Sequence, residues 1–467
     1  MRNSDQHSEQ SFLPDIHFAP SYGWINDPNG LVFHDGIYEL YYQHNPDGIE
    51  WKRMTWGHAR STDMLHWEEM GDVLFPDENG TMFSGCAIRN EHGLLGLPRD
   101  ALIYIYTAAG HNSEASDGKP FSIRMAHSLD GGRTLIKRDG KVIPSPGWES
   151  RDPKVFFHAP SGAYIMVLWI VDHIFGVWRS EDLVSFRQTQ LLTLEGGFEC
   201  PDLFELPVRD STGAVCGSKY VFLAADGSYY VGTFDGYQFH EEQGRRRAYL
   251  CTPGGALPGN ELPYAAQSFS GMGDRTVIVS WLRTRTVADR STGAMSLPRE
   301  LSLVRRDGKY LLRMALPEEI TGQETACGKE GNGKTFLIPD PDAGKGMRVR
   351  LTVDRTAWNS GTVYHGSHSE EAAWSAGFLG EDGSELLHIR CLRDTGMLQF
   401  RHGVVTDLME PPVRMNNLEL IYDRGILEVS AEGGTVNFVL DFPELRGERC
   451  LRFHAEEGLS GVECSCL

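Results

Sequence analysis

Short runs of β-branched and aromatic residues recur at nearly even spacing along the amino-terminal part of the chain. They occupy residues 37–42, 102–106, 164–169, 220–223 and 276–281. Most of them follow a turn signal such as Asp35-Gly36 or Gly273-Asp274, as a hairpin strand does. A second marker, a Ser or Thr two residues before an Asp, recurs at residues 61–63, 128–130, 180–182 and 233–235. Repeated units of short strands and turns are typical of propeller blades, so the pattern predicts five blades.

The chain changes character after about residue 317. Residues 318–345 are rich in Gly, Lys, Glu and Pro, which predicts a linker and the entry to a second domain. Beyond it, segments such as residues 347–353 and 418–422 read as short strands with one polar face, which indicates a β-sandwich. The predicted fold is therefore all-β, with a five-bladed β-propeller over residues 1–317 and a β-sandwich over residues 346–467. One large β-sandwich in place of the propeller is the alternative that the pattern leaves open.

Composition narrows the function classes. The 467 residues include 64 acidic and 44 basic side chains, for a formal net charge of -20. No basic cluster is visible, which disfavours nucleic-acid binding. No stretch approaches the roughly 20 apolar residues of a membrane span, and the polar first 15 residues do not resemble a signal peptide. Nine cysteines at irregular intervals fit neither a disulfide framework nor paired zinc ligands, so we expect a cytoplasmic protein without a metal.

Three acidic residues have unusual neighbours. Asp27 lies in WINDPNG (residues 24–30), Asp152 in RDP (151–153) and Glu199 in FECPD (198–202). Each precedes one of the hydrophobic runs. Because the inner strand of every propeller blade lines the central channel, equivalent positions of different blades converge. We therefore expect the three carboxylates in one pocket, and two carboxylates with a third acid form the working set of a glycoside hydrolase.

These motifs resemble glycoside hydrolase family 32, the invertases, inulinases and levanases. The seven residues 24–30 look like the signature of that family, and further counterparts follow in the same order along the chain. They are residues 56–59, 83–85, 151–155, 199–202, 232–236, 264–269 and 297–301. The resemblance implies a five-bladed propeller followed by a sandwich, in agreement with the pattern. It also implies a small carbohydrate substrate and no cofactor.

For the chemistry, the resemblance implies a retaining two-step displacement. Asp27 matches the nucleophile that forms a covalent fructosyl-enzyme, Glu199 matches the acid/base, and Asp152 matches the transition-state stabiliser. Glu199 must then carry a proton while Asp27 is ionised. We expect an apolar shell around Glu199, and hydrogen bonds from Asn26 and Asn29 that lower the pKa of Asp27. The implied activity releases terminal fructose from sucrose or short fructans.

Seven further residues match positions around the terminal fructose in the family. They are Asn26, Gln43, Trp51, Phe83, Ser84, Arg151 and Tyr264. The alternative for Trp51 is an exposed loop aromatic, and for Arg151 a structural pairing with Asp152 alone. The chain departs from the family around Tyr264, where Leu262 and Pro263 replace an acidic-aromatic pair. Polar residues 283–291 also replace an aromatic loop. Both departures affect the leaving-group side.

Several activities remain open on the same residues. A sucrose-6-phosphate hydrolase or a transfructosylase shares every catalytic residue. A non-catalytic sugar-binding propeller is disfavoured because all three acids are present. An inverting arabinosidase would hold its carboxyls roughly 6.5 Å or more apart, whereas a retaining site holds them about 5 Å apart.

Overall fold

The computed structural model describes residues 13–250, 263–284, 290–330, 333–338, 344–354, 371–409, 415–448, 452–456 and 458–467. These residues are nearly all β. Their strands form six sheets, and their one α-helix is Glu318–Thr321 (α1). Four single-turn 3-10 helices complete the described elements: Glu114–Ser116, Ala159–Ser161, Glu432–Gly434 and Pro443–Leu445. No helix in these ranges is long and apolar enough to cross a bilayer.

Three groups of four antiparallel strands open the chain, and we call them units 1 to 3. Unit 1 comprises Gly23–His34 (β1), Ile37–Asn45 (β2), Thr55–Ser61 (β3) and Glu68–Leu74 (β4). Unit 2 comprises Thr81–Arg89 (β5), Leu102–Ala109 (β6), Ser122–Ser128 (β7) and Ile136–Lys137 (β8). Unit 3 comprises Arg151–His158 (β9), Ala163–Val171 (β10), Ile174–Ser180 (β11) and Arg187–Thr193 (β12). Each unit forms its own sheet, in which strands that follow one another along the chain are neighbours.

Units 4 and 5 share one nine-stranded sheet, joined where β13 and β21 run parallel. Unit 4 comprises Asp202–Arg209 (β13), Val215–Leu223 (β14), Ser228–Phe234 (β15) and Phe239–Arg247 (β16). The strands that follow are Tyr264–Ser268 (β17), Val277–Leu282 (β18), Ser291–Thr292 (β19), Ala294–Met295 (β20), Arg299–Arg306 (β21) and Lys309–Ala315 (β22). Unit 5 comprises β17, β18, β21 and β22, while β19 pairs in parallel with β1 of unit 1.

The five predicted hydrophobic runs all lie on β-strands at equivalent positions. The five hydrophobic runs fall on β2, β6, β10, β14 and β18, the second strand of each unit. The Ser-x-Asp marker closes the third strand of units 1 to 3 in the same way. In each case the Ser hydroxyl donates to the Asp Oδ1, at 3.0 Å for Ser61, 2.7 Å for Ser128 and 3.0 Å for Ser180. The same local turn at equivalent places shows that units 1 to 3 share one supersecondary pattern.

Hydrophobic cores join the units in sequence. Trp56 of unit 1 packs in one core with Tyr104 of unit 2. Other cores join unit 2 to unit 3, unit 3 to unit 4 and unit 4 to unit 5. Leu40 of unit 1 also shares a core with Val277 and Val279 of unit 5. Strands such as β6 are consequently buried on both faces, which explains their continuous runs of apolar residues.

The carboxyl-terminal part consists of two sheets. Its strands are Thr325–Ala326 (β23), Gly328–Glu330 (β24), Thr335–Leu337 (β25), Met347–Val353 (β26), Ala372–Leu379 (β27), Glu385–Leu392 (β28), Leu398–His402 (β29), Val405–Met409 (β30), Asn417–Asp423 (β31), Ile426–Ala431 (β32), Val436–Asp441 (β33), Arg452–Ala455 (β34) and Leu459–Cys466 (β35). One sheet has the order β23-β35-β26-β31-β32-β33, and the other β24-β25-β34-β27-β28-β29-β30. Side chains of both sheets share one core that contains Val349, Trp374 and Phe378. The segment predicted as a linker already contributes β23, β24 and β25 to these sheets.

Candidate active site

The first strands of the units start at one common place. Hydrogen bonds between different units fix them there: the Gly85 backbone N–H donates to Asn29 Oδ1 at 3.1 Å, and the Ser268 N–H donates to Asp202 Oδ2 at 2.8 Å. Lys154 Nζ lies 3.2 Å from Asp202 Oδ2 in a buried ion pair. A small cavity at this place is lined by Pro28, Ser84, Gly85, Asp152, Pro153, Lys154, Cys200, Pro201, Ala265, Ala266 and Gln267. Segments from all five units therefore meet at one point.

The three predicted acids converge at this place. Cys200 Sγ lies 3.4 Å from Asp27 Oδ2 and 3.5 Å from Asp152 Oδ2, so one thiol contacts both aspartates. Glu199 is the neighbour of Cys200, and its charge contributes to raising the pKa of both Asp27 and Asp152. The structure thus brings together residues 27, 152 and 199 of units 1, 3 and 4.

Besides the Cys200 thiol, two side chains donate hydrogen bonds to Asp27. Ser84 Oγ donates to Asp27 Oδ2 at 2.6 Å, and Asn26 Nδ2 donates to Oδ1 at 3.1 Å. Asn26 is itself oriented by Trp24, whose Nε1 donates to the Asn26 Oδ1 at 2.7 Å. Both carboxylate oxygens therefore have a fixed orientation.

The predicted electrostatics of Asp27 need two corrections. Burial raises the pKa of Asp27 above its ordinary value of 3.8, and this effect exceeds the lowering by the hydrogen bonds from Ser84 and Asn26. The expected contribution of Asn29 was also wrong, because its Nδ2 donates to the backbone carbonyl of Asp27, at 3.2 Å, and not to the carboxylate. Its Oδ1 is used to bind the Gly85 N–H of unit 2. Asn29 thus joins strands β1 and β5.

Asp152 is the most buried of the three acids. Its Oδ2 accepts the Cys200 N–H at 3.2 Å and lies 3.9 Å from Arg151 Nε. Burial raises the pKa of Asp152 to about 7, helped by the charges of Glu199 and Asp27 and opposed by Arg151. A proton consequently remains in this group of carboxyls near neutral pH.

Glu199 is held from both sides. Arg151 donates to Glu199 Oε1 through Nη2 and, at 3.2 Å, through Nε. The Tyr264 hydroxyl donates to the other oxygen, Oε2, at 2.6 Å. The expected apolar shell was therefore wrong: Phe198 is 39% exposed and packs against Trp169, and polar donors surround the carboxylate. Arg151 itself stacks on the Trp169 ring at 4.0 Å and lies nearer to Glu199 than to Asp152.

The backbone at the site is strained. Asp152, Glu199, Cys200 and Ala265 have φ angles of 63°, 52°, 37° and 52°, a region that side chains other than Gly rarely adopt. Such conformations persist only where the surrounding structure enforces them, and they cluster at functional sites. Here they turn side chains of three units into the common pocket. The local sequence gives no sign of this strain.

Gln43, Trp51 and Phe83 lie on different elements of units 1 and 2. Gln43 lies buried on β2, and its amide nitrogen, Nε2, has no hydrogen-bond partner among the described residues. A buried amide without a partner is unfavourable unless a ligand binds it. Trp51 lies in the loop between β2 and β3, is 47% exposed and contacts Phe83 with the ring centres 5.7 Å apart. Trp51 is therefore an exposed loop aromatic, and it packs against Phe83.

Unit 5 contributes residues that the sequence analysis did not single out. Arg283 places its guanidinium 3.6 Å from the centre of the Tyr264 ring and 5.0 Å from that of Trp281. Trp281 also contacts Trp24, at 6.0 Å. In the sequence, Arg283 belongs to the polar residues 283–291 that replace an aromatic loop. Nothing in that stretch indicated that Arg283 stacks on Tyr264. Some positions at which the chain departs from the family pattern, Leu262 and residues 285–289, lie outside the described residues.

We expect Tyr264→Phe to lower kcat about 10- to 100-fold, because a hydrogen bond to a charged group contributes roughly 1.5–3 kcal/mol. The substitution removes the 2.6 Å donor to Glu199 and keeps the ring under Arg283. The measurement is the steady-state turnover number of the purified protein. Arg283→Met is the matched comparison, since it removes the cation and leaves the hydroxyl. An unchanged kcat in Tyr264→Phe would show that this hydrogen bond does not support Glu199.

One group of three potential metal ligands occurs among the described residues. Glu385, His388 and Glu456 lie together on the second carboxyl-terminal sheet. Arg401 Nη2 donates to Glu385 Oε1 at 2.7 Å and lies 3.1 Å from His388 Nδ1. A guanidinium already bonds two of the three members, so the group does not indicate a metal site.

Comparison with known proteins identifies the family. Residues 17–314 match the N-terminal domain of glycosyl hydrolases family 32, and the chain belongs to this family. The predicted resemblance is thereby confirmed. A levanase of Bacillus subtilis (strain 168) is 34% identical over 325 residues, which cover 63% of this chain and 45% of the levanase. An extracellular exo-inulinase of Aspergillus niger is 30% identical over 353 residues, which cover 65% of this chain and 64% of that protein. The matched region thus spans about half to two thirds of these relatives.

Solved structures extend the likeness to the whole chain. The exo-inulinase of Aspergillus awamori superposes with a TM-score of 0.76 at 22% identity and covers 97% of this chain and 98% of its own. A fructofuranosidase of Schwanniomyces occidentalis, solved with fructose, gives a TM-score of 0.76 at 22% identity and covers 98% of both chains. At this identity the likeness establishes a common fold.

Proposed function

We propose that this protein is a retaining β-fructofuranosidase that releases terminal fructose from sucrose or short fructans. One observation carries the proposal: Asp27, fixed by Ser84 and Asn26, lies in one pocket with Glu199, which is fixed by Arg151 and Tyr264. A fixed carboxylate and a second carboxyl held by polar donors are the pair that a retaining glycosidase requires. The levanase and exo-inulinase relatives support the same substrate class.

In the first step, Asp27 attacks the anomeric carbon of the terminal fructosyl unit. The bond to the glycosidic oxygen breaks, and Glu199 donates its proton to that oxygen, so that the leaving sugar departs as a neutral alcohol. Asp152 binds fructose hydroxyls and stabilises the positive charge that develops on the ring. In the second step, Glu199 takes a proton from water, the water oxygen bonds to the anomeric carbon, and Asp27 is released as a carboxylate.

The electrostatics suit a mildly acidic to neutral working range. Asp27 must be ionised to attack, and burial raises its pKa above the 3.8 of an ordinary aspartate. The acid limb of the activity profile should therefore lie above pH 3.8. The raised pKa of Asp152 keeps a proton among the carboxyls at neutral pH, which limits the mutual repulsion of the three neighbouring acids.

The terminal fructose is proposed to lie among the remaining pocket residues. Gln43 offers a buried amide without a partner, Arg151 a guanidinium beside Glu199, and Trp51 an aromatic face at the mouth. Ser84 and Asn26 then act mainly through Asp27. Phe83 supports Trp51 from behind.

The architecture that we propose is a closed five-bladed propeller over residues 1–317, followed by the entry segment 318–345 and a β-sandwich over residues 346–467. Hydrophobic cores that join neighbouring units, including unit 5 to unit 1, support closure of the ring. The pairing of β19 with β1 supports it as well. The core shared by the two carboxyl-terminal sheets supports the sandwich.

The test is fructose release by the purified protein from sucrose, sucrose-6-phosphate, kestose, inulin and levan. We expect release from sucrose or the fructans, and formation of the methyl β-fructofuranoside when methanol is added, because a retaining enzyme transfers fructose with its configuration kept. Preference for the phosphorylated sugar, or mainly transfer products at high sucrose, would instead assign one of the two alternative activities. No release from any of the five substrates would overturn the proposal.

A further inference from the structure

Five aromatic side chains form a continuous row beside the pocket, which we call the aromatic ridge: Trp51, Phe83, Phe121, His111 and Trp148. The ring centres of neighbours along it are 5.7 Å apart for Trp51 and Phe83, and 5.3 Å for Phe83 and Phe121. They are 5.1 Å apart for Phe121 and His111, and 5.6 Å for His111 and Trp148. Each pair lies within the range of favourable aromatic contacts, so the ridge is one packed structure.

The ridge is attached to the catalytic residues at two places. Phe83 directly precedes Ser84, whose hydroxyl donates to Asp27. At the other end, Trp148 directly precedes Glu149, whose carbonyl accepts a hydrogen bond from Arg151 Nη1 at 2.9 Å. The ridge therefore runs along the pocket from the nucleophile to the arginine that holds Glu199.

The outer end of the ridge is exposed and yet fixed. Trp148 is 57% exposed, but its backbone carbonyl accepts the Phe121 N–H at 2.9 Å, and its ring stacks on His111 with an angle of 16° between the planes. His111 is in turn held by Glu149 Oε1, 3.2 Å from its Nε2. A large exposed apolar ring in a fixed orientation at the edge of a pocket marks a binding surface more often than a lone surface aromatic does.

Such a surface suits a sugar ring. The apolar face of a sugar packs on an aromatic ring, while its hydroxyls bond to polar groups at the edge. Here the Glu149 carboxylate and the His111 imidazole lie beside the Trp148 ring. These residues are connected to the proposed acid/base, because the carbonyl of Glu149 accepts from the same Arg151 that donates to Glu199.

We propose that Trp148 and His111 form an outer subsite that binds a sugar unit on the leaving-group side of a β-fructan chain, beyond the unit next to the cleaved bond. This inference rests on the proposed fructofuranosidase function and extends it to chain length. With the subsite, oligosaccharides of three or more units bind more tightly than sucrose. Sucrose is too short to reach it.

The test compares Trp148→Ala with wild type on sucrose, kestose, nystose and inulin. We expect KM for nystose and inulin to rise about five- to tenfold, as the loss of one aromatic contact predicts, with kcat nearly unchanged. The sucrose parameters should stay within about twofold of wild type, since the subsite lies beyond a disaccharide. Trp148→Phe keeps an aromatic face and should recover most of the lost affinity.

Tyr237→Ala is the matched control. Tyr237 is an exposed aromatic that also contacts a cation, Arg179, at 4.7 Å. It follows β15, which begins at the site end of unit 4 and runs away from it, so its loss should not affect any substrate. A loss that is equal on sucrose and nystose, or no loss on nystose, would overturn the outer subsite. Absence of fructose release by the wild type would instead contradict the underlying function.

Discussion

Replacing Asp27 by asparagine is expected to lower kcat for fructose release by on the order of 10⁴-fold or more, because the amide cannot form the covalent fructosyl-enzyme. The loss should be similar for sucrose and for longer fructans, since the same bond to Asp27 forms with each. Asparagine has nearly the same shape, and its oxygen can still accept from Ser84, so the pocket should persist. The measurement is steady-state fructose release with purified protein.

Stability gives an independent readout for the same variant. Burial raises the pKa of Asp27, which means that its ionised form destabilises the folded protein near neutral pH. The neutral amide should therefore raise Tm by about 2 °C or more at pH 7, while activity is lost. Asp35→Asn, in the exposed turn between β1 and β2, should change neither quantity. Activity of Asp27→Asn within about tenfold of wild type would rule out Asp27 as the nucleophile.

Much of the fold could be predicted because each repeated unit contains recognisable local sequence patterns. Runs of β-branched and aromatic residues mark the second strand of each unit, and the Ser-x-Asp turn marks the end of the third in units 1 to 3. Pairing between distant strands has no such local mark. The joining of β13 to β21 and of β19 to β1 depends on how whole units pack, and so does the pairing of β23 with the last strand.

The positions of the three acids were predictable from their motifs, but their environments were not. Asn29 and Phe198 are sequence neighbours of Asp27 and Glu199, and neither plays the electrostatic role that adjacency suggested. The residues that hold Glu199 are Arg151 and Tyr264, from units 3 and 5. Contacts across units are set by the converging first strands and by strained backbone at positions such as Cys200. A linear sequence shows neither.

Replacing Glu199 by glutamine is the second large effect that we expect. The amide oxygen can still accept from Arg151, but the side chain has no acidic proton to give to the leaving oxygen. For sucrose, kcat/KM should therefore fall about 10²- to 10⁴-fold. An aryl β-fructofuranoside with a nitrophenolate leaving group needs no such proton, so its first step should proceed at nearly the wild-type rate. This dependence on the leaving group distinguishes an acid catalyst from a residue that only binds sugar.

Two further readouts make the assignment of Glu199 specific. In Glu199→Ala, azide can occupy the space and attack the fructosyl-enzyme without base catalysis, which should restore turnover of the aryl substrate and yield the β-fructosyl azide. Because the Glu199 charge raises the pKa of Asp27, the acid limb of Glu199→Gln on the aryl substrate should move to lower pH. Glu205→Gln, an exposed position on β13, should behave as wild type in every assay. Equal losses of Glu199→Gln on sucrose and on the aryl substrate, with no product formed from azide, would remove Glu199 from the proton-transfer step and leave it a binding residue.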